Sequence, residues 1–296
     1  IRFKIGQAWI AVEDPMKGRM ESIPPALFKS AMDAQRNASR SLVEAFTSET
    51  PEAFSPLFLS WLDAEITYHW AYNLLVYGQV YGGRFGIQPD FFDFLYEAPI
   101  VQELLGSDSY RQFIMAFMAR QQVKTGQTDN FWSGQYYLAE KLLSGKSLAF
   151  FHSELIATAF STEHFPEVLP LYNRFIEKNP FIIFDDKVEG LYQKYAPVSP
   201  GAAAPLFEGS DLNGRFISLA QFRGKIVYLN FWASWCGACL RKMEFFDEFT
   251  PELQANGIEI INISIDQNPN SWESSLASHL FKGHHLLASS GTNRNV

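Results

Sequence analysis

Two runs of consecutive apolar, β-prone residues constrain this chain most: Ile226–Trp232 (IVYLNFW) and Ile258–Ile265 (IEIINISI). Runs of this length with little alternation suit strands covered on both faces, as in a parallel sheet flanked by helices. Between them lies a helix-prone stretch that Thr250-Pro251 should kink or restart, and Gly257 marks the turn into the second run. Asn270 to Leu280 suits a further helix, His284 to Ala288 suits another strand, and Phe216-Ile217-Ser218 is a short extended piece upstream. Strand, helix, strand, helix with buried strands implies a parallel α/β unit, with Ile226–Trp232 as a buried central strand.

Before this unit the period is helical. Ser55-Pro56 reads as an N-cap followed by proline at the first helical position. Phe58, Trp61, Leu62, Ile66, Trp70 and Leu74 then recur at steps of three and four, until Gly82-Gly83 stops the run. Ser107 or Asp108 opens a second such segment, and Asp129 opens a third that ends near Gly145. Further helical segments cover about 146–160, 165–178 and 184–194. Aromatic residues make up 16% of the chain, and most of its 27 Phe precede residue 200, which points to thick helix packing. The spacing is too irregular for a tetratricopeptide array. Glu65 and His69 are spaced i, i+4, and His69 reads as a packing histidine.

The stretch Ala196–Pro205 (APVSPGAAAP) separates the two patterns and reads as a linker. The expected organisation is therefore a strand remnant over 1–20, an α-helical domain over 21–195, a linker over 196–205 and an α/β domain over 206–296. The opening alternation Ile1-Arg2-Phe3-Lys4-Ile5 and the run Ala8–Val12 look like strand fragments of a segment cut away upstream, with no signal-peptide pattern. A hydrophobic content of 47% suffices for sizeable cores. The net charge of −8, without a basic run, argues against nucleic-acid binding. No apolar stretch reaches the roughly 18 residues of a membrane span.

The chain has two cysteines, Cys236 and Cys239, in W-C-G-A-C directly after the IVYLNFW run. A cysteine in a first helical turn meets unpaired backbone N–H groups and the positive end of the helix dipole, which stabilise a thiolate. Three residues on, the second cysteine shares its face within disulfide range. Such a pair suits thiolate attack on a disulfide followed by resolution of the mixed disulfide, with Cys236 as the more exposed attacker and Cys239 as the resolver. Two other readings stay open: a static disulfide or buried pair, and half a zinc or copper site needing further ligands.

At this point residues 202–296 resemble the thioredoxin-like family of extracytoplasmic thiol–disulfide oxidoreductases, of the TlpA and ResA type. The matching text is Ala204-Pro205-Leu206-Phe207, Asp211-Leu212-Asn213-Gly214, Ser218-Leu219, and the block from Gly224 to Cys239 (GKIVYLNFWASWCGAC). The helical region resembles, more weakly, the segment that precedes the redox domain in some TlpA-like proteins. The resemblance implies a thioredoxin-like α/β fold and reduction of disulfides in exported proteins. It implies a membrane thiol reductase as electron donor and a place in the periplasm, or on the outer membrane as a lipoprotein, in cell redox homeostasis. It implies no organic cofactor and no metal, because the thiols carry the electrons.

Three departures stand out. Lys242 occupies the position, three after the second cysteine, where the family usually has an acid, and Glu244 points well away from it. The family's following proline is missing, and Pro251 comes later. The cis-proline loop, last hairpin and final helix have no counterpart after Ile265, since Pro269 comes too early, so the chain reads as a fragment that stops before that loop. Asn230 lies six residues before Cys236, where thioredoxin carries a buried acid, and is expected to pack or hydrogen bond. Trp235 is expected to shield the disulfide and offer substrate a flat contact, and Gly237-Ala238 sets the helix start. His284-His285, adjacent on a strand, would point to opposite faces and make a poor metal site. Two other classes remain. One is a thiol peroxidase, against which Ala233 stands where peroxiredoxins use threonine. The other is a partner-binding module whose redox domain is vestigial.

Overall fold

A computed structural model describes residues 22–49, 54–81, 85–125, 130–162 and 164–288. The strand fragments expected in 1–20, the Gly82-Gly83 stop and Asp129 lie outside them. The chain divides into two compact units that meet between Ala202 and Ala203. In the stretch read as a linker, Ala196–Val198 forms a short 3-10 turn.

The first unit is helical: α1 (Pro25–Glu49), α2 (Pro56–Val80), α3 (Asp108–Thr125), α4 (Phe131–Leu142), α5 (Gly145–Ser161), α6 (Phe165–Lys178) and α7 (Asp185–Tyr195). Ser55 caps α2 by accepting the Phe58 N–H at 3.2 Å, with Pro56 just inside the helix. Helix α2 buries Leu62, Ile66, Tyr68, Trp70, Leu74, Leu75 and Tyr77, and packs against both α1 and α3. Each such side chain contributes about 1.5–3 kcal/mol by leaving water. Ser107 caps α3 through the Tyr110 N–H at 3.0 Å. His69 packs within α2, its Nε2 3.1 Å from Asn73 Nδ2.

Helix α4 ends at Leu142, near Gly145 as expected, and Gly145 opens α5. Its φ of +53° suits glycine, and a Cβ there would collide with the Gln102 side chain. The Gln102 amide fills that space, donating to Ser144 Oγ and accepting from the Lys146 N–H. Gln102 itself opens the 3-10 segment Gln102–Gly106, a run of five residues that is too short to show a helical period in the sequence.

The second unit comprises β1 (Glu208–Ser210), β2 (Phe216–Ser218), β3 (Ile226–Trp232), α8 (Gly237–Asp247), α9 (Thr250–Ala255), β4 (Ile258–Ser264), α10 (Pro269–His279) and β5 (His284–Ala288). The strand order is β2-β1-β5-β4-β3. Strands β3, β4 and β5 run parallel, and β1 is antiparallel to both β2 and β5. The helical stretch restarts at Thr250-Pro251 as expected, and Asn268 caps α10 through the Asn270 N–H at 3.0 Å. Two apolar clusters cover the sheet: Trp232 with Met243, Trp272, Leu276 and Phe281, and Phe222 with Ile261, Ile263 and Leu286.

Strand β3 pairs with β4 along all seven residues, and no described strand pairs its other side. Ile226 and Phe231 are accordingly 67% and 47% exposed. The central, buried strand of the parallel trio is β4, flanked by β3 and β5.

Candidate redox site

Strand β3 delivers the chain to the site. Trp232, at its end, is buried beneath α8 and α10, and Ala233 is buried beside it. The Cys236 N–H returns to the Ala233 carbonyl at 3.0 Å, which turns the chain into α8. Cys236 is the N-cap residue: its carbonyl accepts the Leu240 N–H, and its sulfur accepts the Cys239 N–H at 3.2 Å. Cys236 and Cys239 are joined by a disulfide, with Cα atoms 5.2 Å apart.

Both cysteines are half-buried, so burial class does not separate them as expected. Their inner contacts do. Cys239 packs against the Trp232–Met243–Trp272 cluster, whereas Cys236 lies outside it, at the helix start. Trp235 stands 73% exposed next to the pair, and Gly237 and Ala238 are exposed in the first turn.

Behind the pair, Asn230 donates to Asn262 Oδ1 at 3.0 Å, and Asn262 donates to the Lys282 carbonyl at 3.0 Å. Lys242 is exposed on α8 and, with Asn230, Asn262 and Asp247, lines a cavity of about 10 Å³. That is room for about one water. The histidines part as expected: His284 meets Glu259 Oε2 at 3.1 Å, and His285 Nε2 donates to the Phe281 carbonyl at 2.7 Å. Burial pushes the His285 pKa down, which the hydrogen bond to Phe281 only partly offsets. Among the described residues, no group of three or more His, Cys, Asp or Glu side chains is arranged to hold a metal ion.

Asp266 belongs to the site but reads in sequence as an ordinary loop acid. It is 6% exposed, just past β4. Its carboxylate accepts from the Ser234 N–H, the Ser234 hydroxyl and the Ser264 hydroxyl, at 2.9, 2.7 and 2.7 Å. The only hint is its place: a charge immediately after a buried strand, facing the loop that follows β3.

Residues 200–280 match the AhpC/TSA family. This segment is a thioredoxin-like domain. A thiol-disulfide oxidoreductase ResA of Bacillus cereus (strain ATCC 10987 / NRS 248) is 38% identical over 79 residues, covering 27% of this chain and 46% of that protein. The protein of the same name from Geobacillus thermodenitrificans is 43% identical over 70 residues, covering 24% and 40%. The chain thus spans less than half the length of these curated relatives. The crystal structure of the thioredoxin domain of a Bacteroides vulgatus thiol-disulfide oxidoreductase aligns at a TM-score of 0.29 and 26% identity, covering 30% of this chain and 64% of that one. The thioredoxin-like domain carries both cysteines, and residues 1–199 lie outside the family match.

Proposed function

We propose that the thioredoxin-like domain is a thiol–disulfide oxidoreductase that reduces disulfides of exported polypeptides through Cys236 and Cys239. The observation that carries this reading is the Cys239 N–H aimed at Cys236 Sγ at the start of α8. Once the disulfide is opened, that N–H and the helix dipole favour negative charge on Cys236, the form that attacks. Cys239, packed against an apolar cluster, sits where a thiolate is disfavoured until it is needed.

The steps balance within the pair. The Cys236 thiolate attacks one sulfur of a substrate disulfide, the substrate S–S bond breaks, and the departing sulfur takes up a proton. Cys239 then loses its proton and attacks Cys236 Sγ, which releases the second substrate thiol. Two electrons pass to the substrate, and the Cys236–Cys239 disulfide remains for re-reduction by an external dithiol. By the resemblance of its motifs to the TlpA and ResA type, that donor is a membrane thiol reductase and the setting is extracytoplasmic. Trp235, Gly237, Ala238, Lys242 and Asn230 support the pair, with the exposed Trp235 indole offering the contact surface. Ala233, three residues before Cys236, has no hydroxyl to offer a peroxide.

The test is a redox titration of the whole chain against glutathione and dithiothreitol buffers, read by alkylation and mass. A reversible two-electron transition near about −270 mV supports a reductase, and one near about −120 mV reverses the direction. A pair fixed in one state across the range removes the redox reading. In parallel, Cys239→Ser should accumulate a mixed disulfide with a disulfide substrate, and Cys236→Ser should accumulate none.

A further inference from the structure

The chain carries a net charge of −8, and helix α8, which opens at the redox pair, carries Arg241 and Lys242 ahead of its carboxylates Glu244 and Asp247. Both cations are exposed, and neither makes a hydrogen bond or an ion pair with a described residue. Elsewhere Arg36, Arg174, Lys187 and Lys225 are each held by a carboxylate within 3 Å. The carboxylate drawn to this loop, Asp266, is buried and bonded to Ser234 and Ser264.

Arg241 does not extend into solvent away from the pair. Its Nη1 lies 3.6 Å from where a Cβ on Gly237 would sit, so the guanidinium lies over the first turn of α8. Helix geometry directs a residue four positions on over this turn, although the dipole disfavours a cation at that end of a helix. A planar donor fork without a described acceptor, over the turn that opens at Cys236, matches one kind of visitor: a carboxylate.

We infer that Arg241, with Lys242 behind it, is a specificity determinant of the redox face, selecting polypeptide disulfides that carry an acidic residue beside the attacked cysteine. This rests on the redox reading above. The guanidinium pairs with that carboxylate while the substrate cystine meets Cys236.

The test is single-turnover oxidation of the pre-reduced whole chain by three synthetic disulfide peptides that differ only in Glu, Gln or Lys beside one cysteine. Each reaction converts one chain dithiol to the disulfide and one peptide disulfide to the dithiol. The Glu peptide should react about three- to fivefold faster than the Lys peptide at low salt, the range of an exposed ion pair. In about 0.5 M sodium chloride, where the Debye length shrinks to about 4 Å, the ratio should approach one. The Glu-to-Lys ratio should also approach one in Arg241→Gln and invert in Arg241→Glu. Because each ratio is taken within one variant, any general change in reactivity cancels. A wild-type ratio near one, or a ratio unchanged in Arg241→Glu, overturns the inference and leaves the redox reading standing. If none of the three peptides oxidises the wild-type chain, both fail together.

Discussion

The carboxylate of Asp266 takes both hydrogen bonds that Ser234 can donate, from its N–H at 2.9 Å and from its hydroxyl at 2.7 Å. Ser264 adds a third and anchors the loop further by accepting the Asp266 N–H at 3.0 Å. The segment between β3 and Cys236 is thereby strapped to the end of β4, the buried strand of the parallel trio.

Burial alone would raise the Asp266 pKa, but the bonds from Ser264 and Ser234 outweigh it and hold the carboxyl below its ordinary value. A carboxylate whose folded pKa is depressed contributes stability above its unfolded value near about 3.9, and that contribution is lost as pH falls through the lower folded value. Asp266→Asn replaces one acceptor oxygen by a donor facing hydroxyls, and should cost about 1–3 kcal/mol at neutral pH. Urea unfolding gives the cost. Amide exchange at Ser234 and Trp235 should rise in Asp266→Asn. Unchanged exchange would mean the strap does not hold the loop.

Local signals made much of the redox domain legible. The apolar runs, the C-x-x-C spacing and the prolines at helix starts depend on neighbours a few residues away, and they placed β3, β4, α8, α9 and α10. Strand order is not local. Ile226–Trp232 and Ile258–Ser264 have similar composition, so only the pairing reveals that the second is flanked on both sides. Asp266 escaped for a related reason: it acts through a partner 32 residues away. Glu65 was visible only as a common i, i+4 neighbour of His69, whereas the groups that use its charge lie 43 and 44 residues on.

Those groups make Glu65 a remote cap. Its carboxylate, on a residue 8% exposed, accepts the Asp108 N–H at 2.8 Å and the Ser109 hydroxyl at 2.7 Å at the start of α3. Negative charge there satisfies free donors and complements the dipole. Glu65→Gln keeps the shape but loses the charge and should cost about 1 kcal/mol, while Glu65→Ala leaves the donors unpaired and should cost about 2–3 kcal/mol. Thermal unfolding followed by helix content reads both variants. Equal stability of the alanine variant and the wild type would remove the capping role.

His152 gives the helical unit a specific response to acid. Its ring is 4% exposed and stacks on Tyr136 with centroids 3.6 Å apart, and its Nε2 donates to the Tyr136 carbonyl at 3.0 Å. Burial pushes its pKa down to about 4, against the opposing pull of that carbonyl, so the folded protein holds the neutral imidazole. The unfolded chain takes up the proton near about 6.5, so between these values the unfolded state binds more protons and stability falls as pH falls. The loss should begin near about pH 6.5, amount to about 3 kcal/mol at most, and level off below about pH 4. The substitution His152→Gln keeps a donor for the carbonyl without a titrating group and should flatten this part of the profile. Urea unfolding followed by far-ultraviolet dichroism at about pH 7 and about pH 4.5 makes the comparison. Parallel losses in the wild type and the variant would place the acid sensitivity on other groups.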